Sequence, residues 1–327
     1  MSSIMKLRYL LIAGLLALSL GLAACGSDDD SGDEPNSEAV ASGELIESNA
    51  DNGSTTLTIG SKNFTEQVVL GEIYAQSLEA AGYKVETDLN LGSETVALQA
   101  LKKGEISGYP EYVSTALTSF FDTAAEDVPA DSDEAYEKAK SELASDGIVA
   151  LPPTPFSSAN AVGLLASTAD ELGVSTISDL EGKSDDLTLY GAPECRQRVD
   201  CLLGLQQNYG LEFKSFTPVD IGLRYEVLDK GQADLSIVFT TDAQLGASDK
   251  YTILEDDKGV LPAGNVIFLT DQKVIDEAGP DYAATIEKVQ EGLTEEVMQE
   301  LDARVDIDKE QPDKVAADYL REVGYIE

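Results

Sequence analysis

Strand-like and helix-like segments alternate along this chain from residue 57 onward, and this alternation limits the folds that it can adopt. A β-branched segment at residues 56–59 is broken by Gly60 and Ser61, and apolar residues at helical spacing follow at residues 65–80. Further strands are predicted at residues 84–90 and 106–109, with a helix from Ser93 to residue 103 between them. This βαβαβ order predicts a parallel sheet covered by helices.

A second α/β run follows a proline-rich crossing at residues 152–155. Its strands are predicted at residues 161–166, 187–190, 213–216 and 233–239, and a second crossing rich in glycine, proline and charge lies at 256–264. Two crossings predict two lobes with a ligand cleft between them. We therefore predict an α/β fold with parallel-rich sheets, in which residues 57–154 and 259–327 form lobe 1 and residues 155–258 form lobe 2.

The N-terminal residues have the pattern of a bacterial lipoprotein signal. Lys6 and Arg8 precede an apolar run at residues 9–22, which is too short to span a membrane, and small residues then lead to Cys25. The pattern predicts a signal peptide at residues 1–24 and a diacylated Cys25 that anchors an extracytoplasmic protein to the cell membrane through its lipid only. An ordinary signal peptide followed by a chance cysteine is the alternative.

Residues 25–56 are predicted to form a disordered tether. Residues 26–56 contain nine acidic residues and no Lys or Arg, so they offer little apolar surface to offset chain entropy. A functional acidic tail is the alternative. No later apolar run approaches twenty residues, and we predict no membrane-spanning segment after the signal peptide.

The composition excludes several classes of function. A net charge of −39 is incompatible with non-specific binding to nucleic acid. The absence of histidine removes the commonest general base and metal ligand, so we predict no metal site, no cofactor and no enzymatic activity, although Asp, Glu and Lys alone leave acid–base chemistry open. Cys195 and Cys201 are six residues apart in an oxidising compartment, which predicts a local disulfide.

Three loop motifs carry candidate ligand groups. GSKNFTEQ (residues 60–67) places Lys62 where a strand ends and a helix begins, which favours an anion, and a solvated lysine is the alternative. Tyr109 and Tyr112 flank a proline-stiffened turn and offer ring faces to a cation, unless one ring lies in the core. The cysteine loop PECRQRVDC (residues 193–201) contains Arg196 and Arg198, which suit a carboxylate or, alternatively, surface ion pairs.

Together with FTTD (residues 239–242), these motifs resemble the osmoprotectant-binding proteins of ABC importers. Those proteins bind glycine betaine, carnitine or choline in a cleft of the type II solute-binding fold, and the resemblance extends from about residue 57 to the C-terminus. It implies a monomeric, periplasmic-binding-protein-like lipoprotein that captures a small-molecule solute and delivers it to permease and ATPase subunits. A different solute, an extracytoplasmic enzyme or a sensor on the same fold are the alternatives.

The resemblance also implies roles for individual residues. Lys62, Thr115 and Arg198 match the family positions that hold the ligand carboxylate, and Tyr112 matches one wall of the aromatic cage. At other cage positions, where the family often has tyrosine, this chain has Asn160, Phe239, and Ala263 or Gly264. Tyr109, Tyr225 and Asn265 are the candidates to replace the missing rings.

Overall fold

The computed structural model describes residues 44–327. The predicted signal peptide, Cys25 and residues 26–43 of the predicted tether lie outside the described residues. The described chain contains eleven strands: β1 Thr56–Gly60, β2 Lys84–Asp88, β3 Gly108–Tyr112, β4 Ile148–Ala150, β5 Ser157–Ser158, β6 Asn160–Leu165, β7 Thr188–Gly191, β8 Ser215–Pro218, β9 Leu235–Phe239, β10 Tyr251–Ile253 and β11 Gly264–Asp271.

Helices connect most of these strands. They are α1 Thr65–Ala80, α2 Glu94–Lys103, α3 Val113–Thr115, α4 Ser132–Ser145, α5 Ala166–Leu172, α6 Leu202–Tyr209, α7 Arg224–Asp229, α8 Ala243–Ala247, α9 Gln272–Ala278, α10 Pro280–Gln290, α11 Glu295–Asp306 and α12 Pro312–Val323. Their ends follow local chemistry: Asp131 caps α4 by accepting backbone N–H bonds, and Gly104 ends α2 at φ +70°, a conformation that glycine adopts without strain. None of the helices at residues 44–327 is long and apolar enough to cross a membrane.

Lobe 1 is built on a mixed sheet with the strand order β2-β1-β3-β11-β4, and β5 also pairs with β11. The first three strands are parallel, as the βαβαβ pattern predicts, whereas β11 runs antiparallel to both β3 and β4. The reason is the return path of the chain: it re-enters from lobe 2 beside the end of β3, where Val266 pairs with Tyr112, and so β11 runs in the opposite direction.

Lobe 2 is built on a second mixed sheet with the strand order β10-β6-β9-β7-β8. Strands β7, β8 and β9 are parallel, and β6 is antiparallel to β9 because it enters from lobe 1 at the cleft. The α/β, two-lobed prediction is confirmed, but the sheets are mixed rather than parallel-rich. The residue boundaries predicted for the lobes stay predictions.

Each lobe has its own hydrophobic core on the two faces of its sheet. In lobe 1, one cluster joins α1 to the C-terminal helices α10–α12, and another joins α2 to α4. In lobe 2, the larger cluster includes the disulfide cysteines and α6, and a smaller one surrounds Tyr225 and Leu228. These cores hold the strand ends that face the cleft.

The last part of the predicted tether is packed against lobe 1. The backbone N–H of Ile46 donates to the carbonyl of Tyr325 at 2.9 Å, and the Ile46 side chain is buried. The Asn52 side chain donates to the carbonyl of Ala81 at 2.9 Å. The ordered region therefore begins before residue 57, because one apolar side chain and a few side-chain amides find partners on the lobe surface.

Candidate ligand-binding cleft

The cleft lies where strands of both sheets end. The carboxyl ends of β1, β3, β7 and β9 and the amino end of β6 border the cleft. The cleft encloses about 830 Å³ of empty space between the lobes and is partly open to solvent. The residues that line it and that carry the argument below are Lys62, Phe64, Glu94, Tyr112, Thr115, Asn160, Arg198, Asp200, Arg224 and Phe239. Six of the seven predicted ligand-binding residues are among them.

Three aromatic rings form one side of the cleft. The ring centroid of Phe64 lies 5.0 Å from that of Phe239 and 6.3 Å from that of Tyr112, with which it is stacked. Phe64 and Tyr112 belong to lobe 1 and Phe239 belongs to lobe 2, so the rings meet across the cleft. Phe64 was not among the predicted site residues, although it lies within the GSKNFTEQ motif.

Lys62 lies against these rings and is buried. Its ammonium is 4.5 Å from the centroid of Tyr112 and 5.7 Å from that of Phe64, and it donates to the carboxylate of Glu111. Glu111 is fully buried and also accepts the backbone N–H of Tyr112 at 2.8 Å. Lys62 therefore reaches the cleft, as predicted from its place after β1, but its charge is paired within the protein.

Arg198 extends from the cysteine loop of lobe 2 towards lobe 1. It donates to both carboxylate oxygens of Asp200, at 2.8 and 2.5 Å, and its Nη2 lies 3.4 Å from the hydroxyl of Thr115. Its Nη1 lies 3.5 Å from the carboxylate of Glu94 at the start of α2. Burial opposes ionisation of Asp200, but the adjacent Arg198 guanidinium outweighs it and lowers the pKa of that carboxyl.

The cysteine loop is fastened to both lobes. Cys195 and Cys201 are joined by a disulfide, with their Cα atoms 5.2 Å apart. The Asn160 side chain donates to the backbone carbonyl of Asp200 at 2.9 Å, and Thr118 of lobe 1 donates to the Asp200 carboxylate at 3.1 Å. The loop is thus held in the conformation that presents Arg198 to the cleft.

A second arginine lies behind Phe239. The Arg224 guanidinium is 4.7 Å from the centroid of the Phe239 ring and forms a buried, two-bond ion pair with Asp242. Asp242 also accepts the hydroxyl of Tyr225 at 2.8 Å and the backbone N–H of Phe239 at 2.9 Å. This pair fixes the end of β9 and therefore the position of Phe239.

Tyr109 does not line the cleft, which corrects the prediction made for it. Its side chain is fully buried in the cluster around α2, and its hydroxyl lies 3.3 Å from Glu111. The side chains of the other two candidates to replace cage rings form hydrogen bonds within the protein. The Tyr225 hydroxyl donates to Asp242, and the Asn265 amide donates to the carbonyl of Thr154 at 3.0 Å.

Of the lining residues that carry the argument, four were not predicted from the sequence: Phe64, Glu94, Asp200 and Arg224. The first three lie within or directly beside segments that the sequence had singled out, but nothing in a single sequence indicates which way a loop side chain points. Nothing in the sequence indicated that Arg224 lines the cleft, because one arginine at the start of a short helix is ordinarily a surface residue. Arg196, the other arginine of the cysteine loop, is exposed and stacks on Phe216.

Comparison with known proteins is consistent with this geometry. Residues 55–322 match the family described as the substrate binding domain of ABC-type glycine betaine transport systems. Over 278 residues the chain is 34% identical to a glycine-betaine-binding protein of Pseudomonas aeruginosa, covering 82% of this chain and 88% of that one. It is 28% identical to an ergothioneine transport permease/ergothioneine binding protein of Helicobacter pylori, covering 82% of this chain and 48% of that one.

A solved structure has the same fold. The crystal structure of a glycine betaine/carnitine/choline ABC transporter protein superposes with a TM-score of 0.65 at 24% identity, covering 83% of this chain and all of that one. The family match spans most of the residues that form both lobes and every residue named above as lining the cleft. The chain belongs to the family of substrate-binding domains of ABC-type glycine betaine transport systems, and it is the substrate-binding component of such an importer.

Proposed function

We propose that the protein captures a quaternary-ammonium solute of the glycine betaine and choline type and delivers it to the importer's permease. The observation that carries this proposal is the contact of Phe64, Tyr112 and Phe239 at one side of the cleft. Aromatic faces attract a cation by roughly 0.5–2 kcal/mol each, and a methylated ammonium cannot donate hydrogen bonds, so rings suit it better than polar groups do. The ligand is bound and released without a chemical change.

The carboxylate of a betaine is received at the other end, by Arg198 and Thr115, whereas Lys62 lies at the aromatic side, where Glu111 neutralises its charge. Arg198 directs Nε and Nη2 to Asp200, whereas its Nη1 lies at the longer distance of 3.5 Å from Glu94. Nη1 is therefore the least tightly paired guanidinium nitrogen, and we assign it to the ligand carboxylate. Because Arg198 belongs to lobe 2 and Thr115 to lobe 1, a carboxylate bound between them holds the lobes together.

Calorimetric titration of the purified protein with glycine betaine and choline tests the proposal. Replacing Arg198 by Ala removes a charge-assisted hydrogen bond, and we expect the Kd for glycine betaine to rise about 30-fold. Choline has no carboxylate, so its Kd changes little. Arg196→Ala, in the same loop but stacked on Phe216, is the matched control and leaves both affinities unchanged. Equal losses for the two ligands would contradict the role of Arg198.

A bulkier betaine is the second candidate. One relative is named as an ergothioneine binding protein, and ergothioneine carries both a trimethylammonium and a carboxylate on a larger ring-bearing scaffold. Asn160, which stands at a cage position, leaves more space than a tyrosine would. Ergothioneine therefore belongs in the titration panel, and tighter binding of it than of glycine betaine would identify it as the ligand class. Binding of none of these compounds would contradict a quaternary-ammonium ligand altogether.

We further propose that the mature protein is a monomer anchored outside the cytoplasm by lipid on Cys25. The support is the sequence pattern at residues 1–25, and the anchor is proposed to keep the binding protein near its permease. Cys25→Ala is expected to release the protein from the membrane fraction and to abolish incorporation of a labelled fatty acid. Continued labelling of the variant would contradict lipidation at this residue.

A further inference from the structure

Two buried carboxyl groups lie beneath the aromatic side of the cleft. Glu66, in the first turn of α1, accepts a hydrogen bond from the Tyr112 hydroxyl through Oε1, and its Oε2 has no hydrogen-bond partner within residues 44–327. Asp302, on α11, is also buried, and its Oδ1 is likewise without a partner in the described chain. Neither carboxyl group lines the cleft itself.

The cations near the rings are already paired with other acids. Lys62 is bonded to Glu111, and Arg224 is bonded to Asp242. Glu66 and Asp302 are left without a basic partner at hydrogen-bond distance, which is costly for carboxylates removed from water. No cluster of acidic side chains in the described chain is arranged to hold a metal ion. A ligand cation bound against the Tyr112 ring would therefore stabilise the ionised form of these two acids.

We propose that Glu66, with Asp302 behind it, is a positioning residue that gives the cleft its preference for a cationic headgroup. This inference rests on the proposed function. A phenol that donates its proton to a carboxyl oxygen becomes richer in π-electron density, so the Tyr112 face attracts a cation more strongly. The buried acids also attract the cation directly across a region with little water. They thus compensate for the tyrosines that the family often has at the positions matched by Asn160 and by Ala263 or Gly264.

The ionisation behaviour of these groups is consistent with this role. Burial raises the pKa of Glu66, and burial together with Glu66 raises the pKa of Asp302 well above its usual range. Burial and Glu66 also raise the pKa of Tyr112, so the phenol remains a proton donor. The charged and titratable groups that face the two acids are Lys62, Tyr112, Arg224, Asp242 and Asp306.

A pH dependence of binding follows from this arrangement. In the empty cleft the raised pKa values favour protons on the two acids, whereas a bound cation favours their ionised form. Cation binding therefore releases protons, and the affinity for a cation rises as the pH increases through the range in which Glu66 and Asp302 titrate. A neutral ligand of the same shape lacks this dependence.

The test compares choline with 3,3-dimethylbutan-1-ol, in which carbon replaces the charged nitrogen. In the wild-type protein, the Kd of the neutral alcohol divided by the Kd of choline measures the preference for the cation. We expect Glu66→Gln to reduce this quotient about tenfold, mainly by raising the Kd of choline. It also flattens the rise of choline affinity with pH. Glu72→Gln is the matched control, since Glu72 lies on the same helix, is partly buried and is bonded to Gln76 rather than to a cleft residue. Tyr112→Phe, which deletes the donated hydroxyl, reproduces part of the Glu66→Gln effect.

The outcomes separate this inference from the proposed function. If the wild-type protein binds no quaternary-ammonium compound, the proposed function fails and the inference fails with it. If it binds choline, and Glu66→Gln weakens choline and the neutral alcohol equally, Glu66 has only a structural role and the inference alone is overturned. A selective loss for choline, absent in Glu72→Gln, supports it.

Discussion

The Lys62–Glu111 pair is the buried contact on which the aromatic side of the cleft depends most directly. Both side chains are at most 5% exposed, and Glu111 also holds the backbone of Tyr112. Glu111→Gln leaves the Lys62 ammonium buried without a counter-charge, so we expect a loss of about 3 kcal/mol in the free energy of unfolding, measured by urea denaturation. Replacing both residues, as Lys62→Met with Glu111→Gln, removes the stranded charge and recovers part of that loss. A single variant as stable as the wild type would show that the pair is dispensable.

Residue spacing shows what the sequence could and could not reveal about this site. Tyr109 and Tyr112 are three residues apart on one strand, so the pleat sends them to opposite faces of the sheet. They were predicted to act together because the strand was expected to end at Tyr109, with Pro110 in a turn. Lys62 and Arg198, predicted from their motifs, and Thr115, predicted from the family resemblance, all line the cleft. Phe64 could not be chosen from the sequence. It is the residue directly before α1, and its extended backbone conformation, which sets the direction of its ring, is not visible in the sequence.

At the level of secondary structure, β3 differs most from its prediction, and the reason lies in its neighbours. The strand runs through Pro110 to Tyr112 instead of ending at Tyr109. It pairs with β1 only at Gly108, and from there onward it pairs with β11 alone. Proline is tolerated where a strand has one neighbour, since its missing N–H then leaves no ladder bond unmade. The non-local pairing with β11, more than 150 residues away along the chain, is invisible to local sequence patterns.

An ion-pair network links helices α11 and α12 and gives lobe 1 a pH-dependent contribution to stability. Arg304 donates to Asp318 at 2.6 Å and to Glu310 at 3.1 Å, and Lys314 donates to the same two acids. Hydrogen bonds from these two basic residues lower the pKa of Glu310 and that of Asp318 to about 2 each. Carboxyl groups with depressed pKa values contribute stability above their unfolded-state pKa near 4, and this stability is lost as the pH falls through 2.

We therefore expect the double variant Glu310→Gln, Asp318→Asn to melt about 2 °C below the wild type at pH 7 in low salt. The difference in Tm between the wild type and the double variant should become smaller as the pH is lowered from 4 towards 2. It should also become smaller in 1 M NaCl, because the network lies near the surface. Glu300→Gln, on α11 but outside the network, serves as the control. A difference in Tm that is independent of both pH and salt would contradict an electrostatic origin.

At the scale of the whole molecule, the cysteine loop is a part of lobe 2 that also contacts lobe 1, so its conformation affects both lobes. The disulfide closes a short loop that carries Arg198 and Asp200 to Glu94 and Thr118 of lobe 1. Cys195→Ser with Cys201→Ser is expected to cost about 2 kcal/mol of stability through the entropy of the unfolded chain. It should also weaken binding of glycine betaine more than that of choline, because Arg198 loses its fixed position. An unchanged ratio of the two affinities would contradict the second effect.

The overall charge predicts how the molecule responds to salt. With 61 acidic and 22 basic residues, the chain has a net charge of −39, so repulsion over its surface opposes the compact state. At 0.1 M salt the screening length is about 10 Å, and at 1 M it is about 3 Å, which is shorter than most separations between surface carboxylates. We expect the Tm to rise by about 5 °C between 0.1 and 1 M NaCl, since the loss of repulsion outweighs the weakening of surface ion pairs. Sucrose at equal osmolality separates this effect from solute exclusion. A Tm that falls with NaCl would mean that the surface ion pairs, rather than the net charge, dominate the electrostatics of this protein.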